Sequence, residues 1–466
     1  MMMLSEIAKV VNGRMIGEDV LVQSAGTDSR NIVKNQLFIG IKGENFDGNS
    51  FALEAIKQGA AAVLVSDANT QASPAVVVQD TRLALGQLAK YWREKFKIPL
   101  VAVTGSNGKT TVKEMIVAIL IAANKNVLAT QGNLNNDIGL PMTLLNLRAG
   151  HDVAVIEMGM NHLGEIDYLT RLAKPTVALI TNAGTAHIGE LGSRDNIAKA
   201  KGEIFAGLGD DGIAVINADD AYNDYWFTLN PNRTLMTFGL NLADDVSATF
   251  VEKDGMSEVT LNTRNGSVTF NLAMLGKHNI SNALGASACA VALGISNKDI
   301  ASGLSNMQAV KGRLQRKAGL NGAALIDDTY NANPDSMRTA IDVLATHHDS
   351  IFVMGDMAEL GADAAQMHAD IGLYAMQKGI GKMYAFGALS QLAANEYGTK
   401  AQHFLSIDAL IEAIKIEMKQ GVTVLVKGSR FMQMERVVKE ILGKEIVVKE
   451  IVLNQLVEKN NAQETK

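Results

Sequence analysis

The segment Val101-Ala-Val-Thr-Gly-Ser-Asn-Gly-Lys-Thr-Thr111 reads as an apolar strand running into a glycine loop and then a helix headed by lysine. That order builds a phosphate cradle, because backbone N–H groups at a helix N-terminus point outward at an anion. Here the N–H groups of Ser106 to Thr110 would do so. Lys109 adds a positive charge, and the Thr110 hydroxyl is placed to ligand Mg²⁺ beside the phosphates. The common form of the motif is G-x-x-x-x-G-K-[ST], and Val103 stands where its first glycine belongs. The loop implies nucleotide binding and leaves kinase, hydrolase and ligase chemistry open.

Outward from this loop, "LVAVTG", "HDVAVIEMG", "TVALITNAG" and "GIAVINADD" are apolar runs separated by helical patterns. Strands apolar on both faces indicate a parallel sheet covered on both sides. "SATFVEKDGMSEVTLNTRNGSVTFNLAML" breaks the rhythm. It alternates with period two around Asp-Gly and Asn-Gly, which predicts an antiparallel meander inserted before "GKHNISNALGASACAVALG". From about residue 314, "AALIDDTYN", "SIFVMGDMAE", "KMYAFGAL" and "TVLVKGSRF" predict a second, smaller parallel α/β domain with ligands at its carboxyl strand ends. Upstream, "QLFIGIKG" and "AAAVLVSD" read as strands around the helix "SFALEAIKQGA", and "TRLALGQLAKYWREKF" as a connecting helix. The expected fold class is α/β in three domains: residues 1–82, 83–313 and 314–458, with a frayed polar tail "EKNNAQETK".

Bulk properties agree. A chain of 466 residues suits about three domains of roughly 150 residues each. A net charge of -6 with no strongly basic face excludes nucleic acid as a main partner. The lone Cys289 lies in an apolar run and rules out a disulfide framework. The start "MMMLSEIAKVVNG" does not read as a signal peptide, and no window is long and apolar enough for a transmembrane helix. A cytoplasmic monomer is expected.

Glu157 ends an apolar strand beside the loop and reads equally as a second metal ligand or as a helix cap. Taken singly, His187 reads as a surface histidine and Lys201, fourteen residues later, as a solvated helix lysine. Three further segments change that weighting. Asn279 and Asn282, one helical turn apart, suit a purine edge or, for Asn279, a helix cap. Arg313 in "VKGRLQ" sits at a domain junction where it could reach a transferring phosphate. Asp328 in "LIDDTYNANPDSM" suits a ribose hydroxyl.

T-G-x-N-G-K-T-T, the His187/Lys201 pair, "GKHNISN", "KGRLQ" and "DDTYNANPDS" together resemble the Mur ligase family, in order over roughly residues 27–437. The resemblance implies ATP-dependent amide-forming ligation in cell-wall precursor synthesis. By it, Gly105, Ser106, Asn107, Gly108, Lys109, Thr110 and Thr111 bind the ATP phosphates. Thr110, Glu157 and His187 ligand two Mg²⁺ ions, and Lys201 carries a CO₂-derived carbamate that also ligands metal. Asn279, Asn282 and Asp328 hold adenosine, and Arg313 the γ-phosphate. "TDSRNIVKNQLFIGIKGENFDGNS" resembles a uridine-nucleotide segment, making Ser29, Arg30, Lys42 and Asp47 candidates for the UDP end. "TQGNLNNDIGLPMTLL" resembles a segment along the muramoyl peptide, with Asn135 and Asn136 as candidates. An Asp-Asn-Pro-Arg motif for diaminopimelate is absent. "VMGDMAELG", His368 and "VKGSRFMQMERVV" instead fit the member whose partners are UDP-N-acetylmuramoyl-tripeptide and D-alanyl-D-alanine. The nearest alternative is the third ligase of the series, adding diaminopimelate or lysine. A folylpolyglutamate synthase would not need the uridine-type segment. A phosphate-loop kinase, regulatory ATPase or nucleotide-binding scaffold leaves several of these residues unexplained.

Overall fold

The computed structural model describes residues 1–43, 46–253, 256–274 and 276–443. Among them the chain forms three main sheets. The first has five strands in the order Arg14–Ile16, Ala75–Val77, Ala62–Val65, Gln36–Ile39, Ser24–Gly26, parallel except at the Arg14–Ile16 edge. The loops that follow Ser24–Gly26 and Gln36–Ile39 therefore leave the sheet at the same end. They carry Ser29 and Arg30, and Lys42 and Asp47.

The connecting helix Thr81–Glu94 starts under an Asp80 cap and is not a loose linker. Ala84, Leu85, Leu88 and Ala89 share one core with Leu37 and Leu64 of the first sheet and with Leu144 and Ala154 beyond it. The buried Arg93 caps chain ends through the carbonyls of Ala173, Phe96 and Ile98.

The central sheet has nine strands. Six of them run side by side as Thr234–Gly239, Ile213–Asn217, Val177–Ile180, Leu100–Thr104, Val153–Glu157 and the edge strand Val127–Ala129, all parallel. Leu100 and Ala102 belong to the core on one face, Val101 and Val103 to the core on the other. Val103 is thus a sheet residue beneath the loop. The meander is antiparallel within itself, but it is not a separate insertion. Val246–Lys253 pairs parallel with Thr234–Gly239 and continues the sheet into Met256–Thr263 and Gly266–Leu272. The pairing of Phe238 with Val246 decides this, and no period-two pattern within the meander could have revealed it.

The third sheet runs Gln315–Ala318, Ala324–Asp328, Val422–Lys427, Asp349–Gly355, Lys382–Phe386, Ala401–Phe404, with only the first strand antiparallel. The tail "EKNNAQETK" lies outside the described residues. No helix among the described residues is long and apolar enough to cross a membrane.

Trp226 is wholly buried, and its indole N–H donates to Ala198 O at 3.1 Å, holding the helix Arg194–Gly202 that carries Lys201. Trp226→Ala should destabilise the central domain by about 3–5 kcal/mol, read as a lowered urea midpoint.

Candidate active site

The phosphate loop needs glycine at two points. Gly105 has φ 152°, and a Cβ there would lie 1.8 Å from Thr181 Oγ1. Gly108 has φ 83°, and a Cβ there would lie 2.3 Å from Asn282 Oδ1. No other residue combines that conformation with that clearance. The neighbouring strand end anchors the loop. Thr181 Oγ1 donates to Asn107 O at 2.6 Å, and Asn107 N–H donates to Asn182 Oδ1 at 3.0 Å. Ser106 Oγ accepts from Gly184 N–H at 2.9 Å. The helix Lys109–Ala122 then opens with its first N–H groups lacking intrahelical acceptors.

Lys109 Nζ rests on Gly105 O at 2.7 Å. Burial pushes its pKa down, and Glu157 opposes that shift. Glu157 pairs across the sheet with Val103, so the register alone sets this carboxylate beside the loop. It is 2% exposed. Its Oε1 accepts from Asn135 Nδ2 at 2.8 Å, while its Oε2 has no protein partner. A buried carboxylate oxygen without a donor is costly unless a cation or water completes it. It caps no helix.

His187 opens the short helix Ile188–Leu191 with φ 62°. Its Nδ1 lies 2.8 Å from Glu359 Oε2, off the alignment of a hydrogen bond. His187 and Lys109 hold the Glu359 carboxyl below its ordinary value. Glu190 completes a group whose ligand atoms lie within 4.8 Å of one another. Lys201 is buried rather than solvated. Burial and repulsion from Lys109 drive its pKa well below that of an ordinary lysine, with no described carboxylate acting on it.

The third sheet supplies the opposite wall. Arg313 Nη2 donates to Thr110 Oγ1 at 3.1 Å, with its guanidinium stacked over Tyr330 at 4.2 Å. Asp328 pairs with Lys427 at 2.6 Å and accepts from Leu314 N–H. Asn282 Nδ2 donates to Asn279 Oδ1 at 3.3 Å, and both residues are buried. Asn279 is not a cap: the helix Lys277–Ala292 begins under Gly276. A cavity of about 490 Å³ lies between this helix and the helix Pro334–Leu344, lined by His278, Ser281, Glu252, Thr339 and Asp342. Burial holds the His278 imidazole down at about 4.

Three contributors escaped the sequence reading. Asn333 Nδ2 donates to Asn107 Oδ1 at 2.8 Å. Asp335 Oδ2 accepts from Thr185 N–H and Oγ1 at 2.7 and 2.9 Å. Glu359 faces His187. All three lie inside segments singled out above, but which of their residues turn toward the loop depends on packing. Asn136 accepts from Gly139 N–H at 2.8 Å and so turns the chain into the helix Gly139–Leu144. Arg30 forks onto Asp28 at 2.8 and 2.9 Å, and Asp47 accepts from Asn49 N–H at 2.9 Å. The described contacts tie none of Ser29, Arg30, Lys42 or Asp47 to the phosphate loop.

Fold and site define a class: α/β proteins that hold a nucleotide between a phosphate-loop sheet and a second parallel sheet. The chain belongs to the Mur ligase family. The family catalytic domain matches residues 22–93, the middle domain residues 103–290 and the glutamate ligase domain residues 312–430. The chain is 43% identical to the UDP-N-acetylmuramoyl-tripeptide–D-alanyl-D-alanine ligase of Escherichia coli, over 94% of this chain and 98% of that one. The MurF crystal structure from Acinetobacter baumannii superposes with a TM-score of 0.87 at 37% identity, covering 94% of this chain and 97% of that one. MurF ligase from Thermotoga maritima in complex with ADP does so with 0.80 at 27% identity, covering 91% and 98%.

Asn333 ties the third domain to the phosphate loop through Asn107, and Asp335 ties it to Thr185 of the neighbouring segment, so Asn333→Ala combined with Asp335→Ala should loosen that contact. Small-angle scattering should give a larger radius of gyration for the double variant, with unchanged far-UV circular dichroism.

Proposed function

We propose that the protein joins D-alanyl-D-alanine to the terminal carboxylate of UDP-N-acetylmuramoyl-tripeptide, with conversion of ATP to ADP and phosphate, in peptidoglycan precursor synthesis. The observation that carries this reading is the identity of 43% and 37% to ligases of that name, each over 94% of this chain. Residues 1–82 take the UDP end, through Ser29, Arg30, Lys42 and Asp47. Residues 83–313 bind ATP, and residues 314–458 take the dipeptide and close the ATP site. Residues 444–458 lie outside the described structure. The protein acts as a cytoplasmic monomer.

A carboxylate is a poor acyl donor to an amine because its leaving group would be oxide. In the first step a carboxylate oxygen of the tripeptide attacks the γ-phosphorus, the bond to the bridging oxygen breaks, and ADP leaves. In the second the dipeptide amine attacks the acyl carbon. The tetrahedral intermediate then expels phosphate, and the amine loses its proton. The first step brings two anions together. Lys109, Arg313 and the loop N–H groups offset that repulsion and hold the phosphates in line. Asn279, Asn282 and the cavity beside them take the purine, and Asp328 the ribose. Asn135 and Asn136 lie along the peptide.

The orphan Glu157 Oε2 fits a cation, and Thr110 and His187 add an oxygen and an imidazole donor. Glu157, Thr110 and His187 would hold two Mg²⁺ ions, which neutralise phosphate charge when bound. Lys201 fits the same purpose only as an anion. Its burial beside Lys109 favours the unprotonated amine, the form that adds CO₂ and loses a proton to give a carbamate.

With ATP, Mg²⁺ and UDP-N-acetylmuramoyl-tripeptide, phosphate release should require D-alanyl-D-alanine. Release driven by a free amino acid on the dipeptide precursor, and none by D-alanyl-D-alanine, would overturn the reading. For Lys201, ¹³C-bicarbonate should give a carbamate NMR signal that Lys201→Ala removes. Short carboxylic acids should restore part of that variant's lost turnover. Full activity of Lys201→Ala would refute the assignment.

A further inference from the structure

Lys113 is a buried cation that the reaction as described does not use. It lies four residues beyond Lys109 on the phosphate-loop helix and is 2% exposed. Its Nζ donates to Thr130 O at 2.7 Å and pairs with Glu114 Oε1 at 2.5 Å. Thr130 follows the edge strand Val127–Ala129 and is 1% exposed.

The ladder explains what the contact does. Val127–Ala129 runs parallel to Val153–Glu157 with Ala129 opposite Val155. Thr130 N–H still donates to Val155 O, at 3.1 Å. In a parallel ladder the next bond should run from Glu157 N–H to Thr130 O. It does not. Glu157 N–H donates to the Thr130 side chain, Oγ1, at 2.9 Å. Thr130 O is turned away to Lys113, and the hydroxyl takes its place. The chain leaves the sheet at this point and loops back. Asn135 O then accepts from Gly159 N–H at 2.9 Å, and Asn135 Nδ2 reaches Glu157 Oε1 at 2.8 Å.

We propose that Lys113 is a positioning residue that holds Thr130 out of the ladder, so that residues 130–136 fold back onto Glu157 and fix its carboxylate at the loop. The phosphate helix and the peptide-facing segment are thereby coupled through one ammonium. An ordinary ladder bond at Thr130 would extend the edge strand and carry Asn135 away from Glu157. Lysine suits the task because its long stem crosses from the helix to the edge strand, and an ammonium can take a carbonyl and a carboxylate together.

The kinetic arm of the test rests on the ligase reading, and the other arms do not. In Lys113→Met, kcat should fall about 10- to 100-fold, while ADP affinity measured without Mg²⁺ stays within about twofold of wild type. Lys113→Arg, which keeps a donor, should recover most of the loss. By hydrogen exchange, peptides over 130–139 should exchange faster in Lys113→Met, and those over 100–112 should be unchanged. Thr130→Val should act in the same direction and Thr130→Ser should not, which keeps the test alive if Lys113→Met fails to fold. Wild-type kcat in Lys113→Met, an equal loss of Mg²⁺-free ADP affinity, or faster exchange across the whole central sheet would each overturn the proposal. If the wild-type protein lacked ligase activity, exchange and ADP affinity would still decide the role of Lys113.

Discussion

Positive charge converges on one buried carboxylate at the mouth of the central sheet. Arg313 adds to the positive charge around Lys109, while Glu157 and Glu359 are set against it; burial and the charge of Lys109 both disfavour the protonated form of the buried Lys201. Two cations held near each other in a poorly solvated site are unfavourable until an anion comes between them. The arrangement favours a phosphate between Lys109 and Arg313. The strands, loops and third sheet around it serve to hold like charges closer than water would allow.

Parallel pairing does most of that holding. Leu100–Thr104 and Val153–Glu157 lie side by side in fixed register, so Val103 faces Glu157 and the loop begins two residues further on, at Gly105. Strands packed on both faces cannot slip by a residue without exchanging their two cores. The next strand, Val177–Ile180, leads into the residues that anchor Asn107 and Ser106. The third sheet closes the site through point contacts at its strand ends: Arg313 to Thr110, Asn333 to Asn107, Asp335 to Thr185 and Glu359 to His187. Such polar contacts can break and re-form at little cost, which suits domains that admit two large substrates.

Much of this was legible in the chain. The apolar runs at the heart of both large sheets, the loop and the helix after it each carry a strong local pattern. The edges were harder. Val127–Ala129 and Ala401–Phe404 are short, and Thr234–Gly239 is exposed at its first two residues, so their patterns are weak. "DDTYNANPDS" was legible as a motif, yet only Asp328 was drawn from it. Asn333 reaches Asn107 and Asp335 reaches Thr185 from the start of the helix Pro334–Leu344, which a capping box of Asn333 and Ser336 fixes. Nothing in the local sequence sets Lys113 apart, since helical spacing cannot say what packs on a face.

Local order along the chain determined the α/β class, the two parallel sheets, the phosphate loop and the residue types that chemistry needs, because strand, turn and helix preferences act over a few residues. Tertiary structure alone decided that the meander joins the central sheet, that Lys201 is buried with no carboxylate among the described residues acting on it, and that one Glu157 oxygen has no partner among them. It alone set Asn333, Asp335 and Glu359 across the cleft, and Thr130 out of the ladder. Each of these depends on which distant segment fills the adjacent space. Burial and the pairing of charges are properties of that space rather than of the residues taken in order.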